Sequence, residues 1–349
     1  MTNKQEQRAG EGAIAVQAGG SVVITQGLTY EDAKAVALDV AKSVYADLAP
    51  KALEVARERA EHIADKYLSE LNAHYKEGIA KANDPGFQRA LHSVQVEFAS
   101  TGDEELGNLL VQLLVDRTRQ DQRNIMQIVL SESLTTAAKL TSQQLSILAL
   151  AFVLRYSLNR KVNNNATLAA YLDEHLRPFL PLGAIGRATF QHMEYAGCGS
   201  IQVTSISLSQ VLLNSYTGLF AEGFEWEEIE RRGISIGRDR RLFTACVNEP
   251  SKAQVNAMTE DVLNDLMKQH SVPPEDQDKI RTLFNANRFD DARVQSHIVA
   301  MRPYMAELFA VWDDSDLKAF TLTSVGMAIG HANQKRLVGE FGDLAIWVN

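Results

Sequence analysis

Apolar positions along most of this chain recur every three or four residues, the spacing of helices that bury one face. The exception comes near the start. In AIAVQAGGSVVIT, Ile14 and Val16 alternate with small residues, Gly19-Gly20 supplies a two-residue turn, and Val22-Val23-Ile24 resume the strand pattern. A hairpin this small is marginal in water. Exposed strand edges template pairing between chains, so Ile14, Val16, Val22 and Ile24 are the expected contacts between copies.

Helical signals follow. Thr29 with Asp32 makes a capping-box variant, and the stripe Ala33, Val36, Ala37, Val40, Val44, Leu48 runs behind it. Pro50 reads as a kink or a new helix start. The next helix is predicted over 51–81, about 46 Å long at the usual rise per residue. Its stripe Leu53, Ala56, Ala60, Ile63, Tyr67, Leu71, Tyr75 repeats at about 3.67 residues, which favours a straight bundle over a left-handed supercoil. DPG at 84–86 breaks it.

In the middle region Leu106, Leu109, Leu110, Leu113 and Leu114 share a face, and Thr141 with Gln144 forms a full capping box before LSILALAFVL. PLGAIG and YAGCGS read as flexible joints. Near the end, KAFTLT reads as a strand, Thr323 as the cap of the helix that follows, and LAIWVN as a closing strand with Leu344, Ile346 and Val348 on one face. Phe320 to Gly326 is similar to the strand-to-helix junction of winged-helix domains, where glycine allows close backbone packing.

The predicted fold class is mainly α, with a short N-terminal β-hairpin, long helices, a helical middle region and a small α+β, winged-helix-like C-terminal unit. The expected divisions are 1–28 (tail and hairpin), 29–82 (long helical bundle segment), 84–195 (helical core domain) and 196–349 (C-terminal α+β region).

Composition narrows the function classes. The 349 residues are 45% hydrophobic and 23% charged, in the range of soluble globular chains. A formal charge of −9 argues against a general attraction to nucleic acid or anionic membrane. Cys198 and Cys246 stand in no CxxC or Cys/His zinc spacing, which fits a reducing cytoplasm. The first residues lack a signal-peptide pattern, and the longest apolar run is too short to span a bilayer.

Candidate chemistry is sparse. Cys198 follows His192 by six residues, a conceivable nucleophile and base, but no third group or oxyanion motif accompanies them; a half-buried loop cysteine is the plainer reading. Arg231, Arg232, Arg238, Arg240 and Arg241 surround two glycines and form the best candidate for an anion or nucleic-acid site. Acidic FEWEEIE precedes them, so local ion pairing weighs against that role. Glu58 with His62, and Glu70 with His74, have i,i+4 spacing without a second motif, and solvated helix faces explain them more simply. No catalytic residue, metal or cofactor is expected.

GLTYEDAKAVALDV, preceded by QAGGSVVI and followed by ARERAEHIADKYL, resembles the amino-terminal module of a family of uncharacterised bacterial proteins, and LTSVGMAIGHAN and DLAIWVN resemble its carboxy-terminal pattern. ELGNLLVQLLVDR, KLTSQQLSIL and the LTSVG junction are similar, more loosely, to abortive-infection alpha proteins, which implies a setting in phage defence and no catalytic residue. The expected function is a non-enzymatic, homo-oligomeric assembly protein of the bacterial cytoplasm, a sensor or scaffold of three or more subunits with a phage or host protein as a further partner. A nucleic-acid-binding regulator is the alternative.

Overall fold

The computed structural model describes residues 28–42, 50–339 and 341–348. Ile14, Val16, Val22 and Ile24 lie outside the described residues, as do Val44 and Leu48. The protein is mainly helical, with a few short antiparallel strands.

Helices α1 (Tyr30–Lys42), α2 (Pro50–His74) and α3 (Pro85–Thr101) form an amino-terminal layer. The capping box at Thr29 is made: Thr29 N–H donates to Asp32 Oδ2 at 2.9 Å and Asp32 N–H returns to Thr29 Oγ1 at 3.2 Å. Helix α1 buries its alanines, Ala33, Ala37 and Ala41, more deeply than its valines, so the layer packs at short range. Pro50 starts α2. The single helix expected over 51–81 is two elements: at Tyr75 the backbone leaves helical geometry, and a 3-10 helix Lys76–Asn83 follows. Gly78 sits so close to the Tyr75 ring that a Cβ there would lie 2.7 Å from it, and this tighter winding carries Ile79 and Ala82 into the core.

The centre comprises α4 (Glu104–Thr118), α5 (Ile125–Ala137), α6 (Ser142–Tyr156) and the late helix α15 (Ser324–Val338). The Leu106–Leu114 face is buried, together with Val111 and Val115. Helix α6 is enclosed on every side from Ile147 to Val153, which explains its continuous apolar run. Its partner is α15, and Gly330 lets the two approach: a Cβ there would lie 2.6 Å from the Leu148 carbonyl oxygen.

Between α6 and α15 lie α7 (Asn165–His175), α8 (Arg187–Tyr195), β1 (Gly199–Ile201), α9 (Leu208–Ser215), α10 (Glu227–Arg231), β2 (Phe243–Ala245), β3 (Ala253–Val255), α11 (Glu260–Gln269), α12 (Pro274–Asn285), α13 (Asp291–Met301), α14 (Met305–Asp314) and β4 (Phe320–Leu322). Strand β1 pairs antiparallel with β4, Gly199 opposite Leu322, and β2 pairs with β3, Phe243 opposite Val255. One core runs from Ala33 to Val348 across the expected 195/196 division; a second, smaller core gathers residues between Phe224 and Phe284.

The carboxy-terminal end departs from the expected strand, helix and closing strand. Strand β4, the Thr323 cap and the close packing at Gly326 are present, and a Cβ on Gly326 would lie 1.9 Å from the Cys198 carbonyl oxygen. LAIWVN is no strand: Leu344–Ile346 is a 3-10 turn. Leu344 and Val348 are 6% and 3% exposed while Ile346 is 65% exposed. Burial at every fourth position winds the segment, whereas a strand would put all three residues on one face.

Candidate functional site

Among the described residues, a groove of about 960 Å³ lies between the ends of α2, α4 and α15, the start of α5 and the carboxy-terminal tail 341–348. Local chemistry places each wall. Asp103 caps α4 by accepting the Glu105 and Leu106 N–H groups at 3.0 and 3.1 Å, and Asn124 caps α5 by accepting from Gln127 N–H at 2.8 Å. A short connection therefore turns α4 directly into α5 at one end of the groove. Helix α15 ends at Gly339, whose φ of 95° sends the chain back across the opening.

The tail is anchored from both sides. His331 Nε2 bonds to the Gly342 carbonyl oxygen at 2.6 Å, and Trp347 Nε1 donates to Tyr156 O at 2.5 Å. Trp347 and Phe152 meet edge to face with centroids 4.9 Å apart, which makes Trp347 a packing residue and leaves no stacking platform for a base. Leu344, Val348, Val115, Met126 and Leu130 supply an apolar floor.

Charged groups rim that floor. Lys335 Nζ lies 3.0 Å from Asp116 Oδ1. Glu70 and His74 approach to 3.4 Å, and Arg119 donates to the His74 carbonyl oxygen while resting over the Tyr75 ring. His331 is 3% exposed, and burial holds its imidazole below its ordinary pKa. Since Nε2 must donate to the Gly342 carbonyl, the neutral ring carries its lone pair on Nδ1, an atom with no partner. Among the described residues, no serine, threonine or cysteine lines the groove. Its chemistry is that of a binding surface: an apolar floor, a fixed ion pair and an excess of acceptors.

The motifs singled out in the sequence lie elsewhere, with one exception. Cys198 occupies a tight, buried junction in place of the expected flexible loop, and burial pushes its thiol up to about 12, far from the thiolate a nucleophile needs. His192 engages the Gln144 side chain at 3.0 Å. Cys246 is buried and donates weakly to Ala221 O. The arginines are held by carboxylates: Arg231 and Arg232 by Glu228, Arg238 by Glu227 and Glu230, Arg241 by Asp239. Those bonds lower Asp239 to about 2. Arg240 is exposed beside them. His62 lies 3.3 Å from Glu104, a partner other than Glu58. Glu70 and His74 do meet, and they border the groove. Among the described residues, no group of three or more His, Cys, Asp or Glu is arranged to hold a metal ion, and no helix is long and apolar enough to cross a membrane.

Asp116, His331 and Lys335 escaped sequence reasoning because residues more than 200 positions apart form the site. One faint signal existed: His331 stands inside the apolar stripe of AIGHAN, where a polar ring has to be buried.

A family model covers residues 27–348, and the chain belongs to that family, whose function is unknown. No curated protein and no solved structure matches it.

Proposed function

We propose that this member of a family of unknown function acts by binding, and that the groove between α2, α4, α5, α15 and the tail receives its ligand. The observation that carries the reading is the groove itself: about 960 Å³, with an apolar floor and a charged rim. The test is native mass spectrometry after incubation with the small-molecule fraction of a cell extract. The wild-type chain is expected to retain a non-covalent adduct, and Gln112→Trp, which fills the groove from α4, to lose it. No adduct on the wild-type chain, or an equal adduct on both, overturns the reading.

A second reading, self-assembly, is favoured by apolar side chains left open on the amino-terminal layer: Leu53 is 37% exposed, Val55 45% and Val96 37%. In that reading copies associate through this layer and through residues 1–27, three or more to a particle, with a phage or host protein as a further partner. Free, buried Cys198 and Cys246 support a cytoplasmic location. The light-scattering mass of the full chain should be a multiple of 38.6 kDa and should fall on deletion of residues 1–27; a single-chain mass for both ends the idea. The nucleic-acid alternative requires free guanidinium forks, and the arginines' carboxylate partners count against it.

A further inference from the structure

We infer that the ligand of the groove is an aromatic molecule bearing an N–H donor or a cationic amine, and that anionic ligands are disfavoured there; this rests on the groove being a binding site. Two independent features lead to it.

The first is charge. Glu70, Asp116 and Asp343 border the groove against Arg119 and Lys335. Lys335 is answered by Asp116 at 3.0 Å. Arg119 is turned onto the His74 carbonyl and the Tyr75 ring. Three carboxylates thus border the groove against two cations, one of which is already paired. Asp343 accepts the Ala345 N–H at 2.9 Å, with no ion pair among the described residues, so its negative charge faces the opening without a counter-ion. An incoming cation gains there, and an anion is repelled.

The second is the unpartnered acceptor. His331 lines the groove, and its Nδ1 lone pair is screened from solvent with no donor. A buried acceptor left unmade carries a desolvation cost that a ligand N–H removes on binding. The ring sits edge-on to Phe341, which also lines the groove, with centroids 5.7 Å apart. A flat aromatic ligand fits such walls.

The test uses four probes of one shape: indole, 1-methylindole, tryptamine and indole-3-acetate, titrated calorimetrically against the full chain at fixed salt, with the His331 ring followed by nitrogen-15 NMR. Tryptamine should bind about tenfold more tightly than indole-3-acetate, and indole more tightly than 1-methylindole, with the Nδ1 resonance moving for indole alone of that pair. Asp343→Asn, at an exposed position, should shrink the tryptamine preference; His331→Phe should erase the difference between indole and its methylated form. Equal binding of tryptamine and indole-3-acetate, or of indole and 1-methylindole, overturns the inference while leaving the groove a binding site. Failure of all four probes overturns the ligand class, and the Gln112→Trp adduct experiment then decides the wider reading by itself.

Discussion

The α6–α15 centre and the small unit between Phe224 and Phe284 handle polar groups in opposite ways. In the centre, buried polar side chains reach far along the chain: Asn333 Nδ2 donates to Leu145 O at 3.1 Å and Gln334 Nε2 to His175 O at 3.0 Å. In the small unit most charges stay outside and pair with near neighbours, as Arg238 does with Glu230 at 2.6 Å. Asp276 is the exception. Burial works to raise its pKa, and donors from Ser235, Ile236 and Lys279 outweigh that effect and hold it down. The contrast teaches that a conspicuous charge cluster tends to neutralise itself locally, while the acceptors available to a ligand arise where distant segments meet.

The comparison can be broken by substitution. Phe152→Ala removes a fully buried ring that touches Trp347, Phe341 and His331; a loss of about 4 kcal/mol is expected in urea denaturation. Gly326→Ala forces a Cβ against the Cys198 backbone, where neither side can yield, and about 3 kcal/mol should be lost. Gly233→Ala in the arginine loop meets open space and strains only a φ of 61°, so about 1 kcal/mol is expected. Equal losses at the two glycines would remove the distinction between centre and small unit. Arg238→Ala, last in this order, should leave the denaturation midpoint unchanged, because its partners are exposed and screened.

Acidity sharpens the same contrast. Burial lowers the pKa of His175, His297 and His331 from 6.5, and none of the three belongs to the small core. The folded chain keeps these rings neutral where the unfolded chain protonates them. Their stabilising contribution is therefore complete above about pH 6.5 and is lost as the pH falls toward the lowered folded values. The urea midpoint should drop between about pH 7 and pH 5, less steeply in His331→Gln; a midpoint flat across that interval would contradict the burial of these imidazoles.

Local signals were legible and long-range ones were not. The boxes at Thr29 and Thr141, the cap at Thr323 and the close approach at Gly326 each depend on a few adjacent residues, and each is found. Pro50 opens α2, one of the two readings its position allowed. The closing segment misled because Leu344, Ile346 and Val348 satisfy a strand pattern that the tertiary environment overrides: Trp347 bonds to Tyr156, and only Leu344 and Val348 turn inward. YAGCGS looked like a hinge because its glycines are also what a crowded backbone crossing requires; a Cβ on Gly199 would lie 2.4 Å from Thr321 O. The groove was hidden because Asp116 and Lys335 meet from segments more than 200 positions apart, and the placement of His331 in an apolar stripe was the one local hint.

Among the described residues, the principal cover of helix α6 is α15, a segment that emerges from the ribosome long after it. A nascent chain carrying Ile147–Val153 without Ser324–Val338 displays a wholly apolar rod, so chaperone occupancy during synthesis, and rapid clearance of chains truncated before α15, follow from that order of emergence.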